Sequence, residues 1–136
     1  MVGIIIVAHG NLSAELIETT SMIIDEPIPQ ITGISISPND STNDVAEKIR
    51  SAISSVDTGD GVLIFTDMFG GTPSNVALSF LDEGKIEVIS GVNLPMMLQA
   101  SINREGASVT ELGRKLQSTG RENISLASEL LRKSGI

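Results

Sequence analysis

The chain has 136 residues, of which 40% are apolar, and its formal net charge is −8. Length and apolar content predict one domain, residues 1–136, with a core of its own. No basic patch could neutralise a run of phosphates, so we expect no nucleic-acid partner. Cysteine is absent, which excludes thiolate chemistry, and with one histidine we expect no metal site.

Membrane insertion is not expected either, because no stretch of about 18 apolar residues is present. The apolar run Val2–Val7 has no basic residue before it, which predicts a buried strand instead of a signal peptide. We therefore expect a cytoplasmic protein.

Strands and helices are predicted to alternate from the start of the chain. Residues 2–8 are apolar and β-branched on both faces, as in a central parallel strand. A helix follows, capped by Asn11 or Ser13 and stopped by Pro27 and Pro29. The buried face of this helix is predicted to hold Leu12, Leu16, Ile17, Thr20, Ile23 and Ile24.

The middle of the chain continues this alternation. Strands are predicted at residues 31–36 and 61–66, with a helix between them that begins in a capping box of Ser41 and Asp44. Thr72 is predicted to cap the next helix, with proline in the first helical position. The buried stripe and the end of that helix are assigned to Val76, Ala77, Phe80 and Leu81, and to Asp82–Gly84.

The last third of the chain adds a strand at residues 86–90 and helices that begin at Leu94 and Ser108. Residues 124–126 have two interpretations, a short strand or an irregular lead into a terminal helix at residues 127–133. The alternation predicts an α/β fold, with a doubly wound, mainly parallel four-stranded sheet and helices on both faces.

In such a sheet, ligands bind beyond the carboxyl ends of the strands, where strand order reverses. His9 lies at the end of the first strand, and Gly10 after it permits a sharp turn. A neutral imidazole has one free nitrogen, a good nucleophile toward phosphorus. Asp67 ends the third strand and would fix the tautomer of His9 if the two strands were neighbours. The other interpretation of Asp67 is that it caps its own loop.

A glycine-rich segment, Phe69–Pro73, leads from Asp67 into the third predicted helix. Free N–H groups at a helix start bind phosphate, glycine allows close approach, and a hydroxyl adds a donor. We therefore predict a phosphate-binding set of Gly70, Gly71 and Thr72. The candidate lining residues are Gly10, Phe69 and Asn93, and Asn93 is equally well explained as a helix cap.

The three strand-end loops together resemble the mannose/fructose-type IIA family of the bacterial phosphoenolpyruvate-dependent sugar phosphotransferase system. The matching segments, in order, are Ile4–Gly10, Leu12, Leu16, Met22–Ile23, Asp67–Asn75, Gly91–Met96 and Thr119–Arg121. One departure is Ala8, where many members carry threonine or serine.

The resemblance implies a doubly wound homodimer, in some members with an exchanged C-terminal strand that residues 124–126 would supply. It implies that His9 accepts a phosphoryl group on Nε2 from the phosphocarrier protein HPr and passes it to a IIB component. It also implies that Asp67 orients His9 and that Gly70–Thr72 donates to the phosphate. No cofactor is expected.

Other functions stay open at this point. A regulatory phosphoprotein without its own sugar permease would need the same residues, and the IIA-like subunit of dihydroxyacetone kinases shares the strand-end histidine. A flavodoxin-like module is disfavoured by an aromatic content of 2%. A receiver domain phosphorylated on Asp67 would need acidic residues after the first strand to hold magnesium, and residues 8–11 supply none.

Overall fold

The computed structural model describes residues 1–133, so residues 134–136 of the predicted domain lie outside the description. Four parallel strands form one sheet in the order β2-β1-β3-β4. Their bounds are Gly3–His9 for β1, Ile31–Ile36 for β2, Val62–Thr66 for β3 and Ile86–Ser90 for β4. The predicted four-stranded, doubly wound α/β architecture is confirmed.

Helices cover both faces of this sheet. Their bounds are Leu12–Ile24 for α1, Thr42–Val56 for α2, Thr72–Leu78 for α3, Leu94–Asn103 for α4, Val109–Glu122 for α5 and Ala127–Lys133 for α6. Strand β1 serves both layers, because successive side chains point to opposite faces. Ile4 and Ile6 pack against α1, α4 and α5, whereas Ile5 and Val7 pack against α2 and α3. Ala8 is fully buried in the first of these two cores, so a hydroxyl at this position would face apolar side chains.

Two helix starts follow the predicted capping chemistry. Ser41 Oγ accepts the Asp44 N–H at 3.0 Å, and the Asp44 carboxylate accepts the Ser41 N–H at 3.1 Å, which completes the capping box of α2. Ser108 Oγ accepts the Glu111 N–H at 3.2 Å at the start of α5. These short-range signals place both helices correctly because the capping bonds lie within one turn of chain.

Helix α1 differs from its prediction in its end and its buried face. Its last residue is Ile24, and Asp25 caps its C-terminus with a left-handed φ of 58°. The helix therefore ends before either proline. Leu12 and Ile23 are 44% and 50% exposed, so their assignment to the buried face is wrong. The buried face of α1 is narrower than the row of apolar residues in its sequence, because α1 packs at the side of the sheet that ends with the edge strand β2.

Helix α3 is shorter than predicted and begins differently. Its N-cap is Gly71, with a φ of 88°, and Thr72 is its first residue, so the assignment of Thr72 as the cap is wrong. Bonds from residues 79–81 back to residues 76–78 tighten the chain into 3₁₀ turns after Leu78. Leu81 is consequently 53% exposed and does not extend the buried stripe.

The C-terminal segment contains no strand within the described residues. Residues 124–126 are irregular and lead into α6, which has no buried residue. The single chain therefore has no strand at residues 124–126, and the exchange of such a strand in a dimer stays a prediction. Ile124 and Leu126 are 78% and 63% exposed.

Arg104, just after α4, is a buried cation at the amino edge of the sheet. It is 1% exposed, and among the described residues no carboxylate pairs with it. Its guanidinium donates to the carbonyl oxygens of Pro29 and Gln30, the latter at 3.0 Å, and of Val2 at 3.4 Å. Arg104 therefore ties the entry of β2 to the start of β1.

We expect Arg104→Met to lower the free energy of unfolding by about 2–4 kcal/mol, because the carbonyl groups of Val2, Pro29 and Gln30 lose the donor that joins them. Urea denaturation measures this change. Lys115→Met, on the exposed face of α5, is the control and should shift the free energy by no more than about 0.5 kcal/mol. Equal midpoints for the two variants would contradict this role of Arg104.

Candidate phosphoryl-acceptor site

The carboxyl ends of β1 and β3 form the switch point of the sheet, because the chain moves to one side for β2 and to the other for β3. His9 is the last residue of β1, and Asp67 is the first residue after β3. Val7 pairs with Thr66 across these strands, which brings the two strand ends level. The structure thus brings His9 and Asp67 together, as the strand-end argument predicted.

One carboxylate oxygen of Asp67 holds His9 at two points. Oδ2 lies 2.7 Å from the ring nitrogen Nδ1 and accepts the backbone N–H of His9 at 3.0 Å. The other oxygen, Oδ1, accepts the Met68 N–H at 2.9 Å. The Asp67 side chain is 11% exposed whereas that of His9 is 55% exposed, so the carboxylate lies beneath the ring. The far edge of the ring, with Nε2, is left open to a reaction partner.

The charge state of Asp67 follows from these contacts. Burial acts to raise its pKa, but hydrogen bonds from the His9 backbone, the His9 ring and the Met68 N–H outweigh burial and lower the pKa. Asp67 is therefore a carboxylate at neutral pH and accepts the Nδ1–H. In that tautomer, Nε2 carries the lone pair.

Gly10 and β2 fix the other side of His9. The φ of Gly10 is 57°, in the left-handed region that favours glycine, so the chain turns directly after the ring. The Gly10 N–H donates to the carbonyl of Ile36 at 3.0 Å, and the Ser35 hydroxyl donates to the Gly10 carbonyl. The backbone of His9 is therefore held by both neighbouring strands.

The predicted phosphate-binding residues lie in the loop between Asp67 and α3. Gly70 and Gly71 have φ values of 85° and 88°, and no atom lies within 4 Å of where a Cβ would stand on either. Thr72 follows as the first helical residue, so its N–H needs no partner within α3. Phe69 is 77% exposed and therefore extends into solvent, where it does not line an enclosed pocket.

Asn93 has the capping role that one of its two interpretations predicted. Its Oδ1 accepts the Met96 N–H at 3.1 Å and caps α4, while its Nδ2 donates to the Gly120 carbonyl at 3.1 Å. It lines a groove of about 640 Å³ beside β4 and α5, and neither His9 nor Asp67 lines that groove. Asn93 therefore caps α4 and joins it to α5.

Sequence reasoning missed three hydroxyls beneath the site. Thr66 Oγ1 donates to Ser90 Oγ at 2.9 Å, and Ser90 Oγ lies 3.5 Å from Ser74 Oγ. Thr66 and Ser74 are fully buried. Neither spacing nor periodicity shows such a group, because it depends on the register in which β3 pairs with β4.

Residues 1–133 contain no group of three or more His, Cys, Asp or Glu side chains that could hold a metal ion. None of the helices in this part of the chain is long and apolar enough to cross a membrane.

Fold and site define a doubly wound α/β protein that presents a carboxylate-oriented histidine at its switch point. A sequence profile of the family described as "PTS system fructose IIA component", where PTS is the phosphotransferase system, matches residues 3–117. The chain belongs to this IIA family of the sugar phosphotransferase system, as the strand-end motifs predicted. It is thus a component of a phosphotransferase system.

Known relatives agree with this assignment. The chain is 30% identical over 134 residues to the fructose-specific EIIA component of Bacillus subtilis, which covers 98% of this chain and 91% of the relative. It is 32% identical to the mannose-specific EIIAB component of Escherichia coli, over 90% of this chain and 38% of that longer protein. The crystal structure of EIIA from Streptococcus agalactiae superposes with a TM-score of 0.84 at 31% identity, covering 95% of this chain and 99% of that one.

The orientation of His9 gives a spectroscopic prediction. Because ionised Asp67 accepts the Nδ1–H, the neutral ring should be the Nδ1–H tautomer, with Nε2 unprotonated. The ¹⁵N chemical shifts of the imidazole above pH 8 measure this. Asp67→Asn should shift the ring toward the Nε2–H tautomer, which predominates in free imidazole side chains. Wild-type shifts in that variant would show that Asp67 does not set the tautomer.

Proposed function

We propose that His9 is a phosphoryl carrier that accepts the group on Nε2 from HPr and passes it to a IIB component of a sugar phosphotransferase system. The observation that carries this proposal is the 2.7 Å contact between His9 Nδ1 and Asp67 Oδ2. It leaves one ring nitrogen as nucleophile and directs it outward. Membership of the IIA family supplies the class of reaction.

Transfer is an exchange of one nitrogen–phosphorus bond for another. The Nε2 lone pair attacks phosphorus, the bond to the donor histidine breaks, and its electron pair stays on the donor ring. The His9 ring then carries both the phosphoryl group and a positive charge, which the Asp67 carboxylate stabilises through Nδ1–H. The second transfer reverses these roles toward IIB.

We propose that the phosphoryl oxygens are bound by N–H groups of Gly70, Gly71 and Thr72 and by the Thr72 hydroxyl. The left-handed φ values of the two glycines turn the backbone there, and the space beside them is free. Such donors act on the charge that develops in transfer as well as on the bound group. Gly10 contributes by turning the chain away from the ring.

Surface properties support protein partners for this site. Met68 and Phe69, directly beside Asp67, are 55% and 77% exposed, and exposed aromatic and methionine side chains are typical of protein interfaces. The net charge of −8 favours partners with basic contact surfaces. We place the reaction in the cytoplasm, where both partners would be available.

The direct test is phosphorylation with phosphoenolpyruvate, enzyme I and HPr, followed by intact-mass measurement. We expect one added phosphoryl group that is lost in mild acid and retained in alkali, as for a phosphorylated imidazole. His9→Gln should take up none. Phosphorylation of His9→Gln, or a label stable in acid, would show that His9 is not the acceptor. Asp67→Ala should remain folded, by circular dichroism, and transfer far more slowly than the wild-type protein.

We also propose that the protein is a homodimer. The edge strand β4 is only half-buried, and the groove beside it includes Leu81, Val88 and Ile124. Open strand edges and clustered apolar side chains favour association. Light scattering should give about twice the monomer mass of 14.3 kDa. Ile124→Lys should lower the measured mass toward that of the monomer. A monomer at the concentrations used for transfer would contradict this part of the proposal.

A further inference from the structure

The loop that carries Asp67 and the proposed phosphate-binding residues has little packing of its own. Gly70 and Gly71 meet no neighbour within 4 Å of a Cβ position, and Met68 and Phe69 are exposed. The Asp67 carboxylate bonds only near the start of this loop, to His9 and Met68. The position of the glycine turn must therefore be set largely from the ends of the loop.

Three hydroxyls join both ends of the loop, those of Thr66 and Ser74, which are fully buried, and that of Ser90, which is half-buried. Thr66 precedes the loop as the last residue of β3, Ser74 follows it in the first turn of α3, and Ser90 of β4 lies between them. The Thr66 hydroxyl has one proton, and Ser90 Oγ at 2.9 Å is a nearer acceptor than the Met68 carbonyl at 3.4 Å. Ser90 Oγ in turn contacts Ser74 Oγ at 3.5 Å.

The backbone reinforces the same junction. The Thr66 carbonyl accepts hydrogen bonds from the N–H groups of Gly91 and Val92 at 3.0 and 3.1 Å. These bonds connect the chain just after β4 to the end of β3. A buried hydroxyl group that loses its hydrogen-bond partner destabilises the folded protein. The folded state therefore favours the one arrangement in which these hydroxyls stay paired. The Thr66–Ser90 bond and the longer Ser90–Ser74 contact thus connect the end of β3 to the start of α3.

We propose that Thr66 is a positioning residue for phosphoryl transfer, acting through Ser90 and Ser74 on the Gly70–Thr72 turn. The role in transfer rests on the function proposed above for His9. Thr66 touches neither His9 nor a phosphoryl group. It holds the turn where its N–H groups meet the phosphoryl oxygens, and misplacement of such donors slows transfer without weakening the binding of the donor protein.

Thr66→Val tests this, because valine keeps the shape and the strand preference and removes the hydroxyl. We expect kcat for phosphoryl acceptance from HPr to fall about tenfold, with KM for phosphorylated HPr within about twofold of wild type. Thr66→Ser, which restores the donor, should return kcat to within about twofold of wild type. An unchanged kcat in Thr66→Val would overturn the proposal.

Thr20→Val is the matched control. Thr20 is fully buried in α1 and donates to the Leu16 carbonyl at 2.6 Å, so this change also removes a buried hydroxyl bond, but outside the loop. It should leave kcat at the wild-type value in the temperature range where all variants are folded. A loss of kcat equal to that of Thr66→Val would show that the effect is a general one on the fold.

A second measurement does not depend on activity. Backbone ¹⁵N relaxation of the unphosphorylated protein should give order parameters near 0.85 at Gly70 and Gly71 in wild type, Thr66→Ser and Thr20→Val, and below about 0.6 in Thr66→Val. Wild-type order parameters in Thr66→Val would overturn the positioning role. If the wild-type protein accepts no phosphoryl group, the proposed function is wrong, while these order parameters still decide whether Thr66 positions the turn.

Discussion

The hydrogen bonds of one carboxylate organise the functional end of this molecule. Asp67 Oδ2 accepts from both the ring and the backbone of His9, and Oδ1 accepts from Met68. Two of these donors belong to His9 at the end of β1, and the third is the N–H of Met68 in the loop after β3, so the carboxylate fixes the relation between β1 and that loop. The side chain that orients the histidine therefore also holds together the strand ends that carry it.

Much of this arrangement was predictable from the sequence, because its determinants are local or topological. The alternation of apolar strands and capped helices predicts the doubly wound sheet, and the rule that ligands meet strand ends brings His9 and Asp67 into one site. The capping box of Ser41 and Asp44 is likewise a short-range signal. In each of these cases, the contacting groups are either a few residues apart in the sequence or at the same end of two adjacent parallel strands.

The remaining features depend on geometry that no sequence pattern contains. Thr72 and Gly71 are both acceptable N-caps, and only the left-handed φ of Gly71 decides between them. The contact between Thr66 and Ser90 requires that these residues stand opposite each other in the β3–β4 ladder, a register that neither strand specifies alone. The segment at residues 124–126 has apolar residues suited to a strand, but within residues 1–133 it pairs with none of the four strands.

The half-exposed imidazole of His9 has a consequence for the order of events. With Nδ1 bonded to a buried carboxylate, every reaction at this ring takes place from the one side on which Nε2 is open. Two protein surfaces cannot occupy that side together. Under the function proposed above, any donor must leave before an acceptor arrives, which predicts a shuttle between successive encounters with ping-pong kinetics. The lifetime of the modified ring between those encounters then becomes a property that the protein itself has to supply.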